Sequence, residues 1–106
     1  MTKLQISPLA NDDLLSIKEY IEQELGNPTA ATSTIAKIIK SLKMLTTFPL
    51  SGVLLSSTID IETDYRFVVS RNYISFYRYI DDTVFVNRVL YAKRDYVKIL
   101  FGDIEE

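Results

Sequence analysis

The stretch RVLYAKRDYVKIL, residues 88–100, sets Lys93, Arg94 and Asp95 between two apolar runs. All five arginines of the chain, Arg66, Arg71, Arg78, Arg88 and Arg94, fall in the same third of the sequence. A guanidinium presents a planar fork of donors that fits carboxylate or phosphate in a bidentate way. Residues 66–102 carry a net charge of +4, whereas residues 1–65 carry −3 and the terminal DIEE another −3. A chain of net charge −2 thus gathers its cations in one block, which favours a surface that binds an anionic group. Arginine stems also cover apolar neighbours on ordinary strand surfaces, so each arginine taken singly has a structural reading too.

Other chemistries are narrowed by composition. The chain has no histidine and no cysteine. The commonest general base and metal ligand is therefore absent, and so are thiolate metal sites and disulfides. No metal and no cofactor are expected. Any catalysis would run on Arg, Lys, Tyr, Ser, Asp or Glu. No apolar run is long enough to span a membrane, and MTKLQISPLANDD lacks the apolar core of a signal peptide. A soluble cytoplasmic protein without a membrane partner is the expectation. At 106 residues the chain is read as a single domain, 1–106.

The elements that must hold the arginines follow from periodicity. KLQIS (3–7) alternates as a strand. Ser7-Pro8 is a cap followed by proline at the first helical position. Ala10, Leu14, Ile17, Tyr20-Ile21 and Leu25 then form one apolar stripe, with Asp12, Asp13, Lys18, Glu19 and Glu22 facing water. Gly26 ends this helix, and Asn27-Pro28 starts a second whose stripe is Ala31, Ile35, Ile38-Ile39, Leu42 and Leu45. Two helices joined so tightly form an antiparallel hairpin. Residues 47–64 give no firm assignment beyond a loop at FPLSG. From Tyr65 the period changes to two: YRFVVS, YISFYRYI and VFVNRVLY read as an antiparallel meander. The tail has Tyr96-Val97 and Leu100 at helical spacing. The fold class is α+β: an N-terminal strand, a helical hairpin, a three- to four-stranded antiparallel sheet and a short C-terminal helix.

Alternation sorts the meander onto two faces. With a three-residue loop at 81–83, Phe76 opposes Arg88 and Arg78 opposes Val86. Arg78 and Arg88 then share a face with Ile74, Phe76, Val86 and Leu90. Two guanidiniums under the helices would need buried partners. The expectation is therefore that the tyrosine-rich face lies under the helices and the Ile/Phe/Arg/Val face stays open as a partner site. The alternative is a terminal helix folded back across it.

In this order and spacing, SPLANDDLLSIKEYIEQELG and YRFVVSRNYISFYRYIDDTVFVNRVLYAKRDYVKIL resemble the toxins of type II toxin–antitoxin modules, the RelE/ParE superfamily. The resemblance implies a cognate antitoxin whose C-terminal segment wraps the toxin. ParE-like members are associated with DNA gyrase poisoning, and RelE-like members cleave mRNA on the ribosome without metal. Aligned on YRYID, the RelE middle-strand arginine falls on Ile74, a second basic position on Val68, and the terminal Tyr or His near Leu100-Phe101. The post-strand arginine falls on Arg94. The ParE-like branch is therefore favoured. A degenerate nuclease built on Arg66, Arg78, Arg88 and Arg94 is the alternative, and an inactive binding-only relative a third reading. Expected target- or antitoxin-binding residues are Ile74, Phe76, Arg78, Val86, Arg88, Leu90, Lys93 and Arg94, with a homodimer when the toxin is free.

Overall fold

The computed structural model describes residues 2–102. In chain order the elements are β1 (Lys3–Ile6), α1 (Pro8–Glu19), a π-helical turn (Tyr20–Glu24), α2 (Pro28–Met44), β2 (Val53–Leu54), a 3₁₀ turn (Leu55–Ser57), β3 (Arg66–Ser70), β4 (Tyr73–Ile80), β5 (Thr83–Tyr91) and α3 (Tyr96–Phe101). The strands form one sheet in the order β1-β5-β4-β3-β2. The architecture is the expected α+β, with a larger, mixed sheet. β1 joins β5 in parallel, Lys3 opposite Thr83 through Ile6 opposite Val86. A parallel neighbour needs a long connection, which the helical hairpin and the meander provide. The unassigned segment 47–64 contributes β2, paired with β3 over only two residues.

Local chemistry sets the helix ends. The Ser7 hydroxyl oxygen accepts from Ala10 N–H at 3.0 Å while the same hydroxyl donates to Asn87 C=O at 2.8 Å. One side chain thus caps α1 and ties its start to β5. Asn27 Oδ1 caps α2 through Ala30 N–H at 3.0 Å. Gly26, at φ 60°, makes the reversal between the helices.

The meander turns are both two residues long. Asp81 and Asp82 sit at φ 50° and 56°, the left-handed pair of a tight hairpin turn, and Ile80 opposes Thr83. This corrects the three-residue loop expected from sequence. By itself the shorter turn moves the pairing by one residue. A β-bulge between Phe76 and Tyr77 pairs absorbs the shift, so Phe76 opposes Arg88 as expected while Arg78 opposes Phe85 instead of Val86. Val86 is thereby turned to the helix side.

Two cores follow. On one face Ala10, Leu14, Ile17 and Ile21, with Ala31, Ile38, Leu42 and Leu45 of α2, pack on Tyr77, Val84, Val86 and Val89. Tyr73 and Tyr79 pack on the same cluster, so the tyrosine-rich face does lie under the helices. On the other face Leu55, Phe76 and Leu90 are buried beneath Ile59, Tyr65, Tyr96, Ile99, Leu100 and Phe101. The C-terminal helix folds back over the sheet. The open Ile/Phe/Val/Leu face expected from sequence does not exist. Ile74, Phe76 and Leu90 belong to this second core, because six residues of α3 hold enough apolar surface to cover them.

Candidate functional site

The expected site residues divide among five places. Ile74, Phe76 and Leu90 are core residues under α3, and Val86 is core under the helices. Arg88 is also withdrawn from the surface. Its Nε and Nη2 donate to the two carboxylate oxygens of Asp13 at 2.7 and 2.8 Å, and only 19% and 12% of the two side chains is exposed. Asp13 was read as facing water and is instead a structural partner. β5 loses its β1 neighbour beyond Val86, which leaves the Val89 N–H without a strand on that side. Asp13 Oδ2 accepts that N–H at 3.0 Å. One carboxylate therefore caps a strand edge and neutralises an arginine, and the hydrogen bonds to Asp13 hold the Arg88 guanidinium above its ordinary pKa.

Arg78 makes the same bidentate contact in a different setting. Nε and Nη2 reach Asp64 at 2.8 and 2.9 Å, but the two side chains are 44% and 60% exposed. The Arg78 guanidinium also lies 5.8 Å from the centre of the Tyr65 ring, within cation–π range. The hydrogen bond from Arg78 holds the Asp64 carboxyl below the usual range. Arg78 and Tyr65 border a cleft of about 560 Å³ with Ile6, Ile80, Phe85 and Asn87. This is the part of the sheet face that α3 leaves uncovered, and Asn87 Nδ2 donates to the Tyr65 hydroxyl across it at 2.9 Å.

Lys93 and Arg94 lie exposed in the turn between β5 and α3. The Arg94 side chain has no hydrogen bond or ion pair with any described residue. It borders a second cleft of about 560 Å³ with Asp13, Tyr20, Leu25, Asn72, Tyr73 and Tyr91. Burial raises the Tyr73 hydroxyl pKa, and Tyr20 and Tyr91 raise it further, so the Tyr73 phenol stays neutral at physiological pH. The result is an aromatic wall with an exposed guanidinium at its rim, suited to an apolar group that carries an anion.

Arg66 serves the fold. Its Nη1 donates to Leu50 C=O at 3.2 Å and to Gly52 C=O at 3.0 Å. Arg71 Nη2 donates to Ser33 Oγ at 3.2 Å. The four arginines of the alternative nuclease site are thus engaged separately. Arg66 holds the loop before β2, Arg88 holds α1, Arg78 stands over Tyr65, and Arg94 sits beyond β5. Of the other positions aligned with the nuclease pattern, Ile74 and Leu100-Phe101 pack in the second core. Tyr96 stacks on Phe76 with ring centres 5.2 Å apart. Among the described residues no three His, Cys, Asp or Glu side chains group to hold a metal ion, and no helix is long and apolar enough to cross a membrane.

The sequence reading missed Asp13, Asp64 and Tyr77. Only the glycine of FPLSG hinted at the last. The Tyr77 hydroxyl donates to Pro49 C=O at 2.7 Å and accepts from Gly52 N–H at 3.0 Å. A Cβ at Gly52 would overlap that hydroxyl.

The chain matches the family model described as the ParE toxin of the type II toxin–antitoxin system, parDE, over residues 4–96. No curated protein matches it. Among solved structures it is similar to a chain of the chromosomal ParDE TA system from P. aeruginosa, with a TM-score of 0.73 and 19% identity, over 88% of this chain and 98% of that one. At that identity the likeness concerns the fold. The family match spans α1, α2, the sheet from Leu4 onward and the Arg94 turn, and this chain therefore belongs to the ParE toxin family of type II toxin–antitoxin systems.

Proposed function

We infer that this chain is a cytoplasmic, single-domain toxin that disables its target by binding, with DNA gyrase as the target, and that a cognate antitoxin neutralises it. The observation that carries the binding reading is that the arginines are committed to separate partners. Cleavage of RNA by its own 2′-hydroxyl needs a base and several cations around one phosphate. Here Arg66 and Arg88 are held by internal partners on different elements, and Arg94 has no such partner among the described residues. Membership of the ParE family supports the same reading, as does the net charge of −2, since ribosomal RNA rewards a strongly basic surface.

Of the residues expected to hold a partner, Arg78, Lys93 and Arg94 keep their charged heads in solvent and remain in this proposal as target contacts. Ile80 and Phe85, 37% and 39% exposed, take the place of Ile74 and Phe76 as apolar neighbours of Arg78. The ground for a homodimer of the free toxin goes with the open face, and a monomer is expected.

The test is induced expression in cells with parallel readouts of DNA damage and of mRNA integrity, beside a supercoiling assay with purified gyrase. Inhibited supercoiling with intact mRNA is the expected result. Rapid mRNA cleavage with normal supercoiling would replace the binding reading by the nuclease one. Arg94→Ala is expected to reduce the effect on supercoiling at least tenfold while leaving the denaturation midpoint unchanged.

A further inference from the structure

Helix α2 carries three lysines and no acidic residue (PTAATSTIAKIIKSLKM). A solvated helix face usually sets Glu or Asp four residues from Lys. Neither Lys37, Lys40 nor Lys43 has such a neighbour in the sequence. All three are exposed, and none forms an ion pair with a described residue. Lys37, Lys40, Met44 and Phe48 follow at spacings of three, four and four. The Phe48 N–H bonds to Met44 C=O at 3.0 Å, so the winding continues past the end of α2 and Phe48 stands directly beyond Met44. The ridge thus changes along its length from cationic to apolar. Met44, Phe48 and Leu50 are 51%, 56% and 60% exposed.

The apolar end is held rigidly. Ser51 N–H and hydroxyl both bond to Phe48 C=O at 3.1 and 2.8 Å. Tyr77 donates to Pro49 C=O, and Arg66 donates to Leu50 and Gly52 C=O. The carbonyls of Phe48, Pro49, Leu50 and Gly52 are all engaged, while the two largest side chains of the loop face solvent. A loop needed only to join α2 to β2 would gain by burying Phe48 and Leu50. Fixing exposed apolar anchors before a partner arrives lowers the ordering cost of binding.

We propose that the ridge of Lys37, Lys40, Met44 and Phe48, flanked by Lys43 and Leu50, is a docking surface for an acidic, apolar-anchored segment of a partner polypeptide. Charge complementarity selects that occupant. Three ammonium groups with no ion pair among the described residues ask for carboxylates or phosphates, and the adjoining Phe48 and Leu50 ask for apolar side chains, which a nucleic-acid backbone does not offer. The rest of the chain is net acidic and would repel a polyanion of high charge density. Resting on the toxin reading above, the partner is the antitoxin, and its surface is distinct from the Arg94 cleft that the target is proposed to use.

The experiment is a calorimetric titration of the purified chain with the protein encoded by the reading frame next to its own. Four forms are compared: wild type, K37E/K40E/K43E, F48A/L50A, and the charge-reversed control Lys3→Glu on the opposite sheet edge. Thermal midpoints of the variants should match wild type, because all the positions are exposed. The expected result is a loss of affinity of tenfold or more in both ridge variants, steeper at low salt for the lysine variant, with the control within threefold. Ridge variants within threefold of wild type would overturn the docking surface while leaving the toxin–antitoxin reading intact. A wild-type chain that does not bind that protein would overturn both. A lysine variant that keeps the protein partner and loses binding to a 20-base-pair DNA duplex would show a nucleic-acid surface and also overturn the proposal.

Discussion

Arg88–Asp13 and Arg78–Asp64 are the same interaction by distance. Each is bidentate, through Nε and Nη2, with contacts between 2.7 and 2.9 Å. They differ in setting. The first closes the gap between α1 and the free edge of β5 with both side chains mostly covered. The second stands on an open sheet face with about half of each side chain in water. Burial multiplies the value of a charge pair to its neighbours, because an ion left alone out of water costs several kcal/mol, whereas an exposed pair is screened and contributes 0–1 kcal/mol. Equal geometry therefore yields a structural strut in one place and an available cation in the other.

The strongest test of that difference is Arg88→Ala. It leaves the Asp13 carboxylate without its counter-ion beside a buried strand, and stability should fall by about 3 kcal/mol, read as a shift of the denaturant midpoint. Arg88→Met, which keeps the apolar stem, together with Asp13→Asn, which still accepts from Val89 N–H, should recover part of it. A loss under about 1 kcal/mol for Arg88→Ala would place both pairs in the exposed class and remove the contrast.

Gly52→Ala comes next. The added methyl meets the Tyr77 hydroxyl and ring, which are fully buried, so the loop or the ring must move. Overpacking of this kind costs about 1–3 kcal/mol. Tyr77→Phe in the same chain should relieve it in part by removing the nearest atom. Additive losses in the double variant would show that the hydroxyl is not what makes this position glycine.

Tyr77→Phe alone leaves Gly52 N–H and Pro49 C=O without their partner, at about 1–2 kcal/mol near neutral pH. It also changes the alkaline response. Burial raises the Tyr77 pKa above its ordinary value of 10.0, against the lowering by the Gly52 hydrogen bond and Arg66. The neutral phenol is thus the form the fold holds. Its contribution is complete below the unfolded value near pH 10 and is lost as pH rises through the folded value. Stability of the native chain should fall above pH 10 more steeply than that of the Phe variant, with Tyr73 supplying a remaining slope. Identical alkaline limbs would place Tyr77 in water.

Arg78→Ala should have the smallest effect, below 1 kcal/mol and vanishing in 1 M salt. Asp64 is held below its ordinary pKa by Arg78. The pair's small contribution is therefore present above the unfolded carboxylate value and lost as pH falls through the folded one. A large, salt-independent loss would make this pair structural after all.

The sequence by itself determined most of the elements, though not the short β2 within residues 47–64. Ser7-Pro8 and Asn27-Pro28 start the helices where they are found, because caps and prolines act within one turn of chain. Period-two alternation in YRFVVS, YISFYRYI and VFVNRVLY marked the meander, and the tyrosine-rich face lies under the helices as expected. Only the tertiary structure decided the rest. Whether the turn at Asp81-Asp82 holds two residues or three depends on backbone angles that neighbouring residue types leave open, and the compensating bulge answers to packing on both faces of the sheet. Arg88 finds its partner 75 positions away, and Tyr77 finds its loop 25 positions away. α3 reads in sequence as a short amphipathic segment whose partner is undefined. It covers Ile74, Phe76 and Leu90 because β5 ends beside them and the chain reverses there. Charge pairing and coverage of a sheet face are properties of distance in space, and residue spacing along the chain does not encode them.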